Sequence, residues 1–271
     1  MRHLLLAKDG LQGSSNTQIH YTKISGQATS ADIEATRVFT AEFKKITVDN
    51  DFPPDLVFNV DGTGLFWKKL LSRTYISREE KSAPCFKASE DQLTLLLGGN
   101  ASGTLKLKPL LVYHSETPTV MKGILKSRLP VVWTLNRKAW VMQQIFSEWY
   151  AKHFCHSVLQ FFNQNNLPQK APLLLDNAPG HPPNLEDIQS SRLRYFFLTP
   201  TTTSLLQPMD QEVIAAFWVY CLHQSFEEVI GQMDTSGVSL KEYWKDYNIL
   251  KATDNIKMAR EEVIVSCMKG V

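Results

Sequence analysis

The stretch LLLDNAPGHP, residues 173–182, decides the fold because it carries an acidic residue out of a short apolar run and directly into a turn. Two further apolar runs end in the same way: LVFNVD ends at Asp61, and LLQPMD ends at Asp210, where a helical segment opens. Two divalent ions about 3.5–4 Å apart can clamp the attacking and leaving oxygens of a phosphodiester. Carboxylates are suitable ligands for such ions. The three aspartates are therefore candidate ligands of a two-metal site.

Each aspartate also has an ordinary structural explanation. Asp61 before Gly62, and Asp176 before Asn177, are common turn residues, and Asp210 is a good helix N-cap. Carboxylates that meet without a cation repel one another, so convergence of all three would itself require an explanation. On the residues alone, both interpretations stay open.

The order of apolar patterns predicts an α/β chain with mixed strand pairing. Ligands gather at the carboxyl ends of strands in open α/β sheets, where we expect Asp61 and Asp176. The predicted elements are a helix over 33–46 with Ser30 as N-cap, a strand over 56–60 with a turn at 61–64, a hairpin of 92–98 and 105–113, a helix over 140–166, a strand over 173–175, a helix over 185–193, a strand over 195–198, and helices over 210–230 and 240–265.

Composition sets limits on function. The 271 residues include 29 Lys and Arg against 27 Asp and Glu, and this net charge of +2 is too small to diagnose a nucleic-acid binder. The scattered cysteines lack a C-x-x-C pair, which favours buried free thiols over a zinc site and predicts a reducing compartment. No run is long enough for a membrane span, and the first residues are a poor signal peptide, so we expect an intracellular soluble protein with no membrane partner. The cysteines are Cys85, Cys155, Cys221 and Cys267.

Four segments carry a resemblance to a known family: NVDGTGLFWKK, SREEKSAPCFKAS, LLLDNAPGHP and TTTSLLQPMDQEVI. They resemble the DDE transposase domain of the Tigger family, pogo-type elements related to jerky and to centromere protein B. The resemblance runs from about Ile19 to the C-terminus. It implies a ribonuclease-H-like mixed sheet flanked by helices and two Mg²⁺ or Mn²⁺ ions held by Asp61, Asp176 and Asp210. It also implies that Asn177 and His181 lie near the second carboxylate, and that Gln207 orients the loop carrying the third.

The resemblance also suggests how the chain is divided. We expect an unmatched segment at 1–18, a helical lead-in at 19–50, a DDE endonuclease domain at 51–232 and a truncated helical extension at 233–271. Nothing before Ile19 has the length of the helix-turn-helix modules that relatives use to recognise DNA. The implied partner is DNA, bound by a homo-oligomer, and the implied location is the nucleus.

Three positions depart from the family pattern. Gly62 stands where the family has glutamate, Glu212 where it has glycine, and Trp218 where it has lysine. These changes remove or add charge close to the expected site, so the sequence favours a DNA-binding protein whose catalysis is weakened or lost. One alternative is an active Mg²⁺-dependent endonuclease that cuts and transfers DNA strands. A translated remnant without function is the other alternative.

Overall fold

A single mixed sheet organises the molecule in the computed structural model, which describes residues 32–68, 91–183, 185, 193–199 and 202–263. The strands are β1 (Phe58–Phe66), β2 (Gln92–Asn100), β3 (Leu110–Tyr113), β4 (Val132–Leu135), β5 (Ala171–Leu175) and β6 (Leu193–Phe197). The helices are α1 (Ile33–Asp49), α2 (Gln143–Trp149), α3 (Cys155–Asn165), α4 (Thr203–Leu206), α5 (Ile214–Ser236), α6 (Leu240–Asp246) and α7 (Ile249–Glu262). A π-helical turn at Tyr150–Phe154 joins α2 to α3, and another at Met209–Val213 leads into α5.

The strands lie in the order β4-β3-β2-β1-β5-β6. Strand β1 pairs antiparallel with β2 along its whole length and parallel with β5 through Phe58 and Asn59. The pair β2 and β3 is antiparallel, whereas β3–β4 and β5–β6 are parallel. This mixed sheet with flanking helices confirms the ribonuclease-H-like α/β fold expected from the sequence.

The sheet separates two hydrophobic cores because alternate strand residues point to opposite faces. On β2, Leu93, Leu95 and Leu97 join one core with residues of α5, α6 and α7, whereas Leu96 joins the other core with residues of α2 and α3. Two of the four cysteines, Cys155 and Cys221, are buried free thiols as expected; Cys85 and Cys267 lie outside the described residues. Within the described chain, none of the helices combines the length and apolar character needed to cross a membrane.

The largest correction concerns β1. The predicted turn at 61–64 is wrong, because β1 continues through both glycines to Phe66 and each of these residues pairs with one on β2. Asp61 therefore lies inside a strand and not at its end. The long partner strand β2 supplies the backbone hydrogen bonds that override the local turn preference of the Asp-Gly sequence.

Several further differences between the predicted and the observed elements lie at helix ends. Asp32 caps α1, its side chain accepting a hydrogen bond from the Ala35 N–H, and Ser30 lies outside the described residues. Asp210 is within a π-helical turn and is not an N-cap. The predicted helix over 240–265 is two helices, because the Asn248 side chain caps a new start by accepting from Leu250 and Lys251.

Two other elements differ from the prediction. The short strand β4 was not predicted. The predicted helix over 185–193 lies mostly outside the described residues, and its last residue, Leu193, begins β6. The motif at 77–89 also lies outside them.

Candidate functional site

Asp61 is the buried acidic residue at the centre of the site. Its side chain is on the same face of β1 as Asn59, two residues earlier, and the residue is only 7% exposed. Burial raises the pKa of Asp61 to about 8, with further contributions from the negative charges of Asp210 and Asp176. The Gly62 N–H, 2.6 Å from Asp61 Oδ1, and the Gln207 side chain lower the pKa and oppose this shift. The structure thus brings Asp176 and Asp210 within electrostatic reach of Asp61.

Asp176 follows directly after β5 and is paired with His181. The Nδ1 atom of His181 lies 2.8 Å from Asp176 Oδ1 and 2.9 Å from the backbone oxygen of the same residue. The ring of His181 is buried and packs edge-on against Phe146, with 4.5 Å between centroids. Asn177 has a different role, since its Nδ2 donates to the backbone oxygen of Leu198 at 3.0 Å. His181 therefore contacts the second carboxylate, and Asn177 fastens the turn to the end of β6.

Gly180 allows the turn after β5 to approach the segment that precedes α2. A Cβ at Gly180 would lie 2.5 Å from the backbone oxygen of Val141, closer than packed atoms allow. Nearby, Gln143 Nε2 donates to the Pro179 oxygen at 3.2 Å. The glycine in LLLDNAPGHP is thus explained by close packing, since its φ is not positive.

Asn59 links the strands to the loop that carries the third aspartate. Its Nδ2 donates to the Leu174 oxygen on β5 at 3.1 Å and to Gln207 Oε1 at 2.7 Å, and its Oδ1 accepts from the Met209 N–H at 3.0 Å. Gln207 is fully buried and reaches the Val60 oxygen at 3.4 Å. Gln207 thus holds the loop before Asp210, and Asn59 is a site residue that sequence reasoning missed. The available signal was a polar residue inside the apolar run LVFNVD.

Asp210 and the three residues that depart from the family pattern remain to be placed. Asp210 is exposed, and its N–H donates to the Gln207 oxygen at 3.1 Å. The indole Nε1 of Trp218 lies 3.3 Å from Thr63 Oγ1, so this side chain bonds to β1 two residues beyond Asp61. Glu212 is exposed, and a Cβ at Gly62 would meet no atom within 4 Å. None of the three departures blocks the fold.

A cleft of about 1260 Å³ opens beside the carboxylates. Asp61, Asp176 and His181 line it together with β4 and the start of α2. Lys152 also lines the cleft, where its Nζ pairs with Glu148 at 3.1 Å. The cleft thus brings Asp61, Asp176 and His181 together on one concave surface.

The donor chemistry of the site suits a hard divalent cation, because carboxylate oxygens are the ligands that Mg²⁺ and Mn²⁺ prefer. Among the described residues, no group of three or more His, Cys, Asp or Glu side chains is arranged closely enough to hold a metal ion. The three aspartates therefore interact through their charges without forming a closed coordination sphere. If metal is bound, it is Asp61, Asp176 and Asp210 that would hold it.

The chain is similar to curated proteins and to solved structures. The chain is 37% identical over 191 residues to the Jerky protein homolog of Homo sapiens, covering 70% of this chain and 33% of the relative. It is 32% identical over 224 residues to the Tigger transposable element-derived protein 7 of Homo sapiens, covering 76% and 40%. The chain therefore spans only about a third of the length of these curated relatives. A similar solved structure is the Mos1 mariner paired end complex with Mn, at 11% identity and a TM-score of 0.46, covering 97% of this chain and 69% of that one.

One protein-family model matches a large part of the chain. The model of the DDE superfamily endonuclease matches residues 90–270, a segment that includes Asp176 and Asp210, whereas Asp61 precedes it. With two thirds of its length matched by this model, and with jerky and Tigger proteins as relatives, the chain belongs to the DDE superfamily endonuclease family, in its pogo-type branch.

Proposed function

We propose that the chain is a DNA-binding protein derived from a DDE transposase, with weakened catalysis. The observation that carries the proposal is that Asp61 and Asp176 line one large cleft, with Asp210 within electrostatic reach of Asp61, in a family described as endonucleases. An endonuclease acts on a nucleic-acid backbone, so the cleft is the surface where that backbone would lie. By the same family argument, we propose a nuclear location and a homo-oligomer on DNA.

The positions that depart from the family support weakened catalysis. The Trp218 indole bonds to Thr63, so an apolar ring occupies the position where the resemblance expects a lysine. The exposed carboxylate of Glu212 lies two residues beyond Asp210 and repels DNA phosphates. At Gly62, the open space around the backbone accommodates the glutamate of the family, but the charge itself is missing. Binding tolerates these changes better than catalysis does, because phosphate contacts are spread over many residues.

Fluorescence anisotropy with labelled DNA, recorded at several salt concentrations, tests DNA binding. We expect an affinity that falls with rising salt and that does not fall when Asp61, Asp176 and Asp210 are all changed to Asn, since the variant removes negative charge from the cleft. A folded wild type with no affinity for any DNA would contradict the proposal. Light scattering with and without DNA tests the proposed oligomer, which a monomeric complex would exclude.

A second candidate function is Mg²⁺-dependent cleavage and transfer of DNA strands. The raised pKa of Asp61 favours it, because burial and the charges of Asp210 and Asp176 make its ionised form costly, and bound cations would offset that cost. Bound ions would supply an activated water and stabilise charge on the phosphate. The residues of this chain would position the ligands: His181 holds Asp176, while Asn59 and Gln207 hold the loop of Asp210.

Calorimetric titration of Mn²⁺ separates the two functions. Binding by the wild type but not by the triple Asn variant would show that the carboxylates act together as ligands, and a nicking assay would follow. If catalysis is retained, Asp176→Asn abolishes metal-dependent nicking. Equal nicking by wild type and Asp176→Asn would exclude the catalytic function, and an absence of Mn²⁺ binding by the folded wild type leaves DNA binding as the function.

A further inference from the structure

An exposed basic turn follows β4 at one side of the cleft. The Lys138 N–H donates to Asn136 Oδ1 at 2.8 Å, and the Ala139 N–H donates to the Asn136 backbone oxygen at 2.7 Å. Ala139 has a φ of +53°, in the left-handed region that alanine seldom adopts. This closed turn holds Arg137 and Lys138 at its tip, where both are exposed.

Large apolar side chains flank the turn and are also exposed. Trp140 is 66% exposed, Met142 is 56% exposed and Leu135 is 42% exposed, and all three line the cleft. The Lys138 Nζ lies 5.9 Å from the centre of the Trp140 ring, close enough for a cation–π contact. We name Leu135, Arg137, Lys138, Trp140 and Met142 the Trp140 wall. Clustered exposed apolar groups of this kind mark interaction surfaces.

The positive charge of the Trp140 wall is available to a ligand. The neighbouring acidic residues are already paired, Glu116 with Lys126 at 3.0 Å and Glu148 with Lys152 at 3.1 Å. In the described parts of the chain, no carboxylate forms an ion pair with Arg137 or Lys138. The wall therefore offers cations and an aromatic face side by side.

The Trp140 wall is attached to the loop that carries the second aspartate. The backbone oxygen of Val141, the residue after Trp140, packs against Gly180, and Gln143 donates to the Pro179 oxygen. Trp140 lines the same cleft as Asp61 and Asp176. A polymer bound on the wall would therefore extend toward the carboxylates.

We propose that the Trp140 wall binds an unpaired nucleotide of DNA, with Trp140 stacked on the base and with Arg137 and Lys138 on the flanking phosphates. This inference rests on the proposed DNA binding and specifies the form of DNA that the cleft takes. An aromatic side chain beside basic residues is the combination by which proteins hold single strands. Stacking needs a free base face, which a DNA end with an unpaired tail provides and the interior of a duplex does not.

Anisotropy with three oligonucleotides tests the inference: a blunt duplex, the same duplex with a three-nucleotide overhang, and the single strand. We expect the wild type to bind the overhang and the single strand more tightly than the blunt duplex. Trp140→Ala should weaken binding of those two DNAs by roughly tenfold, the usual order for one lost stacking contact, while blunt-duplex binding stays unchanged. Trp140→Phe should retain the preference, and 2-aminopurine in the overhang should report stacking with the wild type and Trp140→Phe alone.

Charge variants test the basic residues of the Trp140 wall separately from its aromatic residue. Changing Arg137 and Lys138 together to Ala should weaken binding of the overhang and the single strand and make the dependence on salt shallower. The matched control changes Lys44 and Lys45, two exposed lysines of α1, which contributes no residue to the cleft, whereas Arg137 and Lys138 lie between the lining residues Asn136 and Trp140. That control removes the same charge and should leave the overhang preference intact. Thermal unfolding checks that every variant is folded.

The outcomes distinguish this inference from the proposed function. If the wild type binds no oligonucleotide, the proposed DNA binding fails and the inference with it. If the wild type binds DNA but Trp140→Ala binds the overhang and the single strand as tightly as the wild type does, the inference alone is overturned. The inference alone is also overturned if the wild type binds the overhang no more tightly than the blunt duplex. It is likewise overturned if the two charge variants bind the overhang with the same affinity.

Discussion

At the scale of single residues, two opposing influences act on the pKa of Asp61. Burial and the charges of nearby aspartates raise it, whereas hydrogen bonds lower it. A carboxylate that is 7% exposed and near two other aspartates is costly to ionise, and among the described residues the Gly62 N–H and the Gln207 side chain offset part of this cost. The chain therefore keeps a proton on Asp61 at neutral pH. A divalent cation would displace that proton, so metal binding and protonation compete at this residue.

Asp61 should make stability depend on pH. The pKa of Asp61 is about 8 in the folded protein and near its ordinary value of 3.8 in the unfolded chain. Between these values the folded state holds a proton that the unfolded state has lost, so the free energy of unfolding falls as pH rises. We expect a loss on the order of 1 kcal/mol per pH unit through this window, complete above about pH 8. Urea unfolding between pH 5 and 9 measures it.

The matched variant for this measurement is Asp61→Asn, which removes the titrating group with little change in shape. Its stability should vary less with pH than that of the wild type, and it should exceed the wild type at pH 8. Asp210→Asn should lower the pKa of folded Asp61, so that the decline ends at a lower pH and is smaller in total, because one repelling charge is gone. Parallel pH profiles for wild type and Asp61→Asn would contradict the raised pKa.

Asn59 should act on the site beyond its effect on stability. Asn59→Ala leaves the Met209 N–H and Gln207 Oε1 without their buried partner, and we expect a loss of about 2–3 kcal/mol in the free energy of unfolding. The loop of Asp210 then keeps only the Gln207–Val60 hydrogen bond among these contacts with β1, so Mn²⁺ affinity should fall as well. Urea unfolding and calorimetric titration measure the two effects.

The control is Asn100→Ala. Asn100 is another fully buried asparagine, which donates to the Asp55 oxygen and Thr104 Oγ1 and accepts from the Leu105 N–H. It makes as many side-chain hydrogen bonds as Asn59 but none with the loop that carries Asp210. It should lower stability to a similar extent and leave Mn²⁺ affinity unchanged. Equal Mn²⁺ affinity in wild type and Asn59→Ala would show that Asn59 contributes to stability and not to the site.

At the scale of elements, the turn after β5 and the segment before α2 form one unit. Gly180→Ala places a Cβ 2.5 Å from the Val141 oxygen, so the two backbones must separate. We expect a loss of about 1–3 kcal/mol in the free energy of unfolding, typical of overpacking. Weaker binding of DNA with an overhang should accompany it, because Trp140 precedes Val141. Urea unfolding and anisotropy measure the two effects.

Gly62→Ala is the control at this scale, since a Cβ there meets no atom within 4 Å and the strand conformation admits alanine. It should change stability by no more than about 0.5 kcal/mol. If Gly62→Ala were as destabilising as Gly180→Ala, the close approach of Gly180 to Val141 would not be the reason for the glycine.

At the scale of the whole molecule, the two cores share one sheet and should unfold together. Phe58 is buried on the face packed by α2 and α3, and Phe217 on the face packed by α5 to α7. We expect one cooperative transition, with Phe58→Ala and Phe217→Ala each lowering stability by about 3–5 kcal/mol. Circular dichroism and tryptophan fluorescence should report the same midpoint for each variant.

The control for this experiment is an exposed residue, Val219, whose change to Ala should leave the midpoint almost unmoved. Separate transitions for the two cores would show that the faces of the sheet fold independently. A non-cooperative transition in the wild type would favour the third interpretation of the sequence, a translated remnant without function.

The sequence by itself determined the class of the fold and the family, and it singled out the three aspartates as candidates, because apolar runs and the motif LLLDNAPGHP are local signals that survive without tertiary context. Helix α3, strand β5 and the run into Asp210 were predictable for this reason. Only the tertiary structure decided that β1 continues through Gly62 and Gly64, since the partner strand β2 lies 28 or more residues away in the chain and supplies the pairing. It also decided the role of Asn59, whose contacts reach 115 to 150 residues along the chain. The raised pKa of Asp61 and the exposure of Trp140 likewise depend on packing between distant segments, which no local pattern encodes.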